Sequence, residues 1–316
     1  MAGKRANAET ALVTGGAGFI GSHLVRRLVA EGYQVRVLDN LSTGKEVNLA
    51  GIGGLEFVDG DIRVPDVVAH AMEGIDTVFH LAALPSVARS WKDPVATLAT
   101  NAHGTANVVE AAVRSKASKL VYSSSSSVYG DQQAEVKSED LEPRPVSPYA
   151  YSKLLAEKIA LAHSSDRGGL QVIALRYFNV FGPRQDPNSP YAAVIPLFIK
   201  HAIAGTAATI YGDGSQTRDF THVNNVVEAN LCAAHSDVSG VALNIACGES
   251  HTILELVDGV SALSKKPLRT VLAPRREGDI THSLADITLA AAKVGYRPQI
   301  QFLEGLRRTF DEFTSA

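Results

Sequence analysis

The chain has 316 residues, of which 45% are hydrophobic and 20% charged, a balance that excludes a disordered or fibrous protein. At about 150 residues per domain, the length predicts two domains, or one large α/β unit with an appended lobe. The net charge of −3 offers no cationic excess for nucleic acid or an anionic membrane, yet leaves room for a local phosphate site.

Cysteine use and hydropathy narrow the class further. Cys232 and Cys247 are too few for a disulfide framework and lack zinc or redox spacing. No apolar run reaches about 18 residues and the first residues contain no apolar signal core, so a cytoplasmic protein with no membrane partner is expected. The ten histidines show neither HExxH nor another ligand spacing, and no metal is expected.

Residues 1–9 are small and polar and read as a disordered tail. Beyond them, short apolar runs at 11–14, 34–39, 55–58, 77–80, 119–123 and 171–175 alternate with helix-like stretches at 19–31, 65–72, 94–115 and 148–163. The runs show little period-2 alternation, as strands covered on both faces should, and the β-α rhythm predicts an α/β fold with a doubly wound, mostly parallel Rossmann-type sheet. Pro65, Pro94 and Pro148 open three of the helices and Gly32 follows the first, the expected asymmetry of helix starts and stops. After Arg176 the texture becomes turn-rich, as in Phe181-Gly182-Pro183-Arg184-Gln185-Asp186-Pro187 and Tyr211-Gly212-Asp213-Gly214-Ser215. This predicts a smaller C-terminal α/β lobe over 176–316, with some segments returning to a Rossmann-type domain over 1–175; the motifs that follow make 1–175 the NAD-binding domain and 176–316 the substrate-binding lobe. A cleft between the two is the expected ligand site.

The first strand runs into Thr14-Gly15-Gly16-Ala17-Gly18-Phe19-Ile20-Gly21, a GxxGxxG spacing that opens a helix. Small residues there let backbone N–H groups and the helix's positive end approach a pyrophosphate, while Gly21 permits close packing of helix on strand. The second strand ends at Asp39, 18 residues after Gly21, where a carboxylate can accept hydrogen bonds from a ribose diol. The same carboxylate would repel a 2′-phosphate, and Asp39-Asn40-Leu41-Ser42-Thr43 offers no arginine, which favours NAD over NADP. Asp61-Ile62 follows the third strand and is placed to meet the adenine, although a loop carboxylate of no special role would read the same.

Ser147-Pro148-Tyr149-Ala150-Tyr151-Ser152-Lys153 reads as an N-cap, a first-turn proline, and Tyr149 and Lys153 on one helix face at i and i+4. A tyrosine of ordinary pKa, about 10, is a poor base at neutral pH; a neighbouring ammonium and a positive nicotinamide ring would lower that value. Downstream of a dinucleotide motif this pair points to hydroxyl deprotonation, whereas in isolation it would read as an amphipathic helix. The strand before it ends in five serines, 123–127, followed by Val128-Tyr129-Gly130. At the carboxyl end of a parallel strand those hydroxyls suit an active-site floor better than a flexible linker.

Together these motifs, with His80-Leu81-Ala82-Ala83, Asn101, Arg176-Tyr177-Phe178-Asn179-Val180, Arg218-Asp219-Phe220 and Arg275-Arg276-Glu277-Gly278-Asp279, resemble the extended short-chain dehydrogenase/reductase family, specifically its nucleotide-sugar epimerases and dehydratases. The resemblance covers nearly the whole chain after residue 10. It implies Tyr149 as base, Lys153 as its electrostatic partner and ribose ligand, and Ser125 as the assisting hydroxyl. It also implies that NAD is surrounded by Gly15, Gly18, Phe19, Ile20, Gly21, Asp39, Asn40, Asp61, Ile62, Leu81, Ala82, Ala83, Asn101, Ser123, Tyr149, Lys153 and Tyr177. A UDP-sugar would meet Ser86, Ser125, Asn179, Val194, Tyr211, Arg218, Arg276, Asp279 and Ser283, with Arg218 and Arg276 clamping the diphosphate and Asp279 accepting ribose hydroxyls.

Dehydratases of this family carry Asp-Glu after the hydroxyl residue and the related decarboxylases a Glu, whereas Ser125 is followed by Ser126 and Ser127. The resemblance therefore implies C4 epimerisation of UDP-glucose and UDP-galactose. Ser283, small where the family limits space near the sugar's C2 group, extends this to UDP-N-acetylglucosamine and UDP-N-acetylgalactosamine. The competing readings are a UDP-glucuronate 4-epimerase, a 4,6-dehydratase whose acid comes from elsewhere, and a non-catalytic NAD-binding sensor. Related enzymes pair the helices at 94–115 and 148–163 into a four-helix bundle, which implies a homodimer.

Overall fold

The computed structural model describes residues 9–132, 134–165, 168–275 and 281–315. Six strands follow one another through the first half of the chain: β1 (Thr10–Thr14), β2 (Gln34–Asp39), β3 (Leu55–Asp59), β4 (Thr77–His80), β5 (Lys119–Ser125) and β6 (Gln171–Tyr177). A seventh, Val241–Ile245, arrives from the C-terminal part of the chain and pairs in parallel with β6. Read across, the sheet runs from that strand through β6, β5, β4, β1 and β2 to β3, and every pairing is parallel. The expected doubly wound α/β sheet is present. The order reverses at β1, which lies between β4 and β2, and the sheet therefore opens a crevice at its carboxyl edge there.

The helices that cover the sheet begin and end where local chemistry requires. Helix α1 (Phe19–Ala30) is followed by Gly32 at φ +88°, a conformation that an L side chain resists. Helix α2 (Pro65–Ala71) starts at its proline. The stretch read as one helix at 94–115 is preceded by a short helix, α3 (Val87–Lys92), and is itself composite. It comprises α4 (Pro94–Leu98), a π-helical turn at Ala99–His103 and α5 (Gly104–Arg114). Helix α6 (Pro148–Ala162) is capped by Ser147, whose hydroxyl accepts the Ala150 N–H at 3.2 Å.

Two apolar layers sandwich the sheet, one with Leu24, Val25 and Leu28 of α1 and Val226 and Leu231 of the helix Val223–His235, the other with Val68, Val108, Val109 and Ala156. A separate core gathers Phe181, Ile199, Ile210, Phe220, Leu256 and Phe302. Between it and the sheet lies Asp219, fully buried, which accepts backbone N–H bonds from Cys247, Gly248 and Ala285 at 2.9 to 3.2 Å and so fixes Arg218 on one side and Phe220 on the other. Among the described residues no helix is long and apolar enough to cross a membrane.

Three buried histidines bear on acid stability. Burial pushes His80 and His23 down to about 3 and His222 to about 4, so the folded protein holds each imidazole neutral. Between those values and the ordinary histidine pKa of about 6.5 the unfolded chain binds more protons, and stability must fall as pH falls. For His80 alone the loss from about pH 7 to about pH 5 amounts to about 2 kcal/mol. Urea unfolding at the two pH values should show that loss in the wild type and a correspondingly smaller one in His80→Gln; equal pH dependence in both would exclude His80 as a contributor.

Candidate active site

At the carboxyl edge of the sheet a cleft of about 1150 Å³ runs from the turn after β1 to the segment 189–192. Its first wall is built on close backbone approach. Gly15 stands at φ +71°, and a Cβ there would lie 2.7 Å from the Ala82 amide nitrogen; a Cβ on Gly21 would lie 2.2 Å from the Gly15 carbonyl oxygen. No side chain fits either position, and the N-terminus of α1 consequently sits directly beneath the cleft. The other edge of this turn is set by a buried relay. Thr14 Oγ1 lies 2.6 Å from His80 Nδ1, Thr105 Oγ1 lies 2.9 Å from His80 Nε2, and the Ala82 N–H donates to Thr14 Oγ1 at 3.2 Å.

Asp39 closes the end of β2 and is 8% exposed. Its carboxylate accepts the N–H groups of Ala17 at 2.9 Å and Leu41 at 2.8 Å, while burial raises its pKa. A carboxylate has about four acceptor sites, so two remain for a diol in the cleft. Asp61 is held by Arg63 at 2.6 Å and by the Asn40 amide at 3.0 Å, and these donors, Arg63 first, hold its carboxyl down at about 2. Glycine backbone at a helix N-terminus, a carboxylate at the end of β2 and an acid–amide pair beside it form a donor and acceptor set that fits an adenine dinucleotide.

The opposite floor is made by β5 and α6. The serine run is not a linker: Ser123, Ser124 and Ser125 end β5, and Ser126–Tyr129 forms a 3-10 turn. Ser127 donates to Ser125 Oγ from its amide at 3.2 Å and from its hydroxyl at 2.9 Å. Tyr149 and Lys153 both reach the cleft. The phenol hydrogen-bonds the Ser125 side chain, and Lys153 Nζ donates to the Ser123 carbonyl and lies 4.7 Å from the centre of the Tyr122 ring. A neighbouring ammonium and a nicotinamide ring are expected to lower the phenol's pKa. Among the protein's own groups, burial raises Tyr149 against the opposing Ser125 hydrogen bond and pushes Lys153 down to about 7, with the Glu157 carboxylate pulling the lysine back up.

The remaining expected residues divide by position. Gly18, Phe19, Ile20, Ile62, Leu81, Ala83, Ser86, Tyr177, Asn179 and Arg218 all line the cleft. Asn179 adopts φ +32° and donates from its amide to the Asp219 carbonyl at 3.2 Å. Asn101 does not reach the wall: it sits in the π turn, and its side chain holds the Leu84 backbone at 2.7 and 3.1 Å and the Ser152 hydroxyl at 2.9 Å. Val194, Tyr211 and the buried Ser283 also stand off the wall, whereas Arg276 and Asp279 lie outside the described residues.

The cleft has further wall residues, among them Trp91 and Lys92 of α3, which no sequence motif singles out, and Gln185 and Tyr191, from segments that resemble epimerases of UDP-N-acetylhexosamines. The guanidinium of Arg89 and the ammonium of Lys92 lie 5.2 and 5.5 Å from the Tyr191 ring centre. The loop at 182–192 that carries Tyr191 is tied to the cofactor half at three points: His23 Nε2 to the Pro183 carbonyl at 2.9 Å, Arg184 Nε to Ser22 Oγ at 3.3 Å, and Lys45 to Asp186 at 2.7 Å.

Residues 11–246 match the NAD dependent epimerase/dehydratase family. The chain is 38% identical to the UDP-glucose 4-epimerase of Mycolicibacterium smegmatis over 96% of its own length and 97% of that protein. It is 32% identical to a UDP-N-acetyl-alpha-D-glucosaminuronate decarboxylase of Bacillus cytotoxicus over 96% and 97% of the two chains. The solved structure of a UDP-N-acetylglucosamine 4-epimerase from Methanobrevibacter ruminantium, in complex with UDP-N-acetylmuramic acid, superposes with a TM-score of 0.92 at 39% identity, covering 98% of this chain and 99% of that one. With that match spanning the sheet, the glycine turn and the Tyr149–Lys153 helix, the chain belongs to the NAD dependent epimerase/dehydratase family.

Proposed function

We propose that the protein is a 4-epimerase of UDP-hexoses, acting on UDP-glucose and UDP-galactose and on their N-acetylated counterparts. One observation carries this reading over elimination or decarboxylation: among the described residues that line the cleft, the carboxylates are Asp39 and Asp61, both at the glycine-turn end, while the floor beside Tyr149 presents the hydroxyls of Ser125, Ser126 and Ser127. Loss of water needs a general acid at the sugar, and hydroxyls do not supply one. Relatives with epimerase activity at 38 and 39% identity support the choice. Acceptance of the N-acetylated sugars is the weaker part of this reading's support, because Ser283, the small residue that suggests it, is buried off the cleft wall.

The glycine turn, Asp39 and Lys153 would hold NAD, which would supply a reversible hydride acceptor for C4. The chain's own groups hold the sugar nucleotide and move the proton. Tyr149 accepts the C4 hydroxyl proton, with Ser125 positioned by its bonds to Tyr149 and Ser127 to share that hydrogen bond. Burial opposes phenolate and ammonium separately, but Tyr149 and Lys153 stand one helical turn apart on α6 and both line the cleft, so the reactive state is the one in which both are charged and each offsets part of the other's desolvation. Arg218 and Asn179 hold the diphosphate, together with Arg276, while the 4-keto sugar turns over within a floor of neutral hydroxyls. Trp91, Val95, Leu98, Tyr151 and Leu155, exposed on α3, α4 and α6, support a homodimer joined through these helices.

Incubation with UDP-glucose, UDP-galactose, UDP-N-acetylglucosamine and UDP-glucuronate, without added NAD, should give C4 epimers of unchanged mass from the neutral sugars. Products that have lost water or carbon dioxide would overturn the reading. Tyr149→Phe should retain NAD and lower kcat by about 100-fold or more. Sedimentation should report a dimer, and charges introduced by Val95→Lys with Tyr151→Lys should dissociate it; an unchanged dimer would place the interface elsewhere.

A further inference from the structure

Beneath the cleft floor, outside the reacting pair, lies a charged network with almost no access to water. Glu157 is 2% exposed and Arg176 is 5% exposed. Arg176 grips both carboxylate oxygens of Glu157, Nη2 to Oε1 at 2.6 Å and Nε to Oε2 at 3.0 Å, and Ser124 donates its hydroxyl to Oε2 at 2.5 Å. The guanidinium continues to the Tyr129 hydroxyl at 2.9 Å, which donates to Asn244 Oδ1 at 2.7 Å. An ion pair this deeply buried gives back most of its attraction as desolvation and is therefore a poor source of stability. Its location is the informative part, since Glu157 is one helical turn beyond Lys153 on α6 and Ser124 is the residue before Ser125 on β5.

We propose that Glu157 is a positioning residue for the reaction: its carboxylate locks α6 to the serine end of β5, and its negative charge keeps Lys153 an ammonium beside Tyr149. This rests on the epimerase reading above. The surroundings of Lys153 leave few other candidates for that charge. From β4 comes His80, held neutral by burial, and from β5 comes Tyr122, whose phenol burial also keeps neutral. From β6 come Tyr177, raised by burial, and Arg176, which is engaged by Glu157 and Tyr129. On the 3-10 turn, Tyr129 is raised by burial too. Of the short helices packed on α6, α3 turns Arg89 and Lys92 to Tyr191, Asp93 caps α4, and the π turn meets α6 through Asn101 and Ser152. Asp93 is exposed, and α5 brings Glu110, exposed and paired with Arg114; Glu157 is the buried carboxylate of this set, and its field acts to raise the lysine's proton affinity.

The test is the pH profile of kcat for NAD-containing enzyme carrying Glu157→Gln, set against wild type. Without the carboxylate Lys153 loses its proton at lower pH, so the alkaline limb of kcat should move down by about one pH unit and kcat near neutrality should fall by about tenfold, with KM little changed. Glu157→Gln leaves Arg176 buried without a counter-charge, so Glu157→Gln with Arg176→Met, which removes both charges, is read in parallel and should show the same shift. Glu157→Asp should restore part of the alkaline activity. A uniform loss of kcat at every pH, or a wild-type profile in the double variant, would assign Glu157 to packing alone and overturn the proposal. A wild-type enzyme that fails the sugar-nucleotide incubation sinks the epimerase reading and this inference with it, a result distinct from an active wild type with an unshifted variant.

Discussion

The cleft depends on how closely two backbones meet at the reversal point of the sheet. Because Gly15 has no side chain, the turn after β1 can lie against Leu81 and Ala82 at the end of β4, and because Gly21 has none, α1 can close over that turn. The Thr14–His80–Thr105 relay then fixes the distance from the other side without introducing a charge. From this contact follow the direction of the α1 axis, the placement of Asp39 at the end of the neighbouring strand, and the continuous edge along which β4, β5 and β6 deliver their last residues. A methyl group at either glycine would have to move main chain rather than a flexible side chain, so this contact has little room to adjust.

Along that edge the chemistry is mixed. Asp39 and Asp61 stand at the glycine-turn end, with Arg63 on Asp61, the floor carries small hydroxyls and the Lys153 amine, and Arg218 and Lys92 also reach the wall. Such a set suits a ligand that is rich in hydroxyls and carries anionic groups. Bulk composition is silent on the matter, because a net charge of −3 says nothing of where a single guanidinium such as Arg218 is placed.

What could be read from the sequence was what depends on neighbours in the chain. Strand positions, the proline-led starts of α2, α4 and α6, the Ser147 cap, Gly32, and the i, i+4 pairing of Tyr149 with Lys153 are local and emerged as expected. The features that were not legible are long-range. That residues 241–245 complete the sheet depends on their register with β6, which no short pattern encodes. Helix α3 has six residues and so carries little periodicity, and the π turn is invisible because its sequence continues an ordinary helical pattern. Asn101, recognisable as a motif residue, proves to brace the Leu84 segment and Ser152, so motif and wall position differ. Arg176 stands in a recognisable motif, but its burial against Glu157, 19 residues earlier and outside any motif, appears only in the fold.

The two sides of the cleft differ in what it takes to move them. The floor is pinned by buried ties, the lysine to the Ser123 carbonyl and the carboxylate of Glu157 to both β5 and β6. The loop at 182–192 is pinned by one histidine contact, one long hydroxyl contact and an ion pair whose members are 53% and 31% exposed. An exposed pair of this kind is worth only about 0.2–1 kcal/mol. The loop's further contacts, Arg89 and Lys92 against the Tyr191 ring and Lys200 against Asn188, are also made by long side chains, so one side of the cleft rests on short buried ties within the sheet and α6 and the other on side chains that reach across to it.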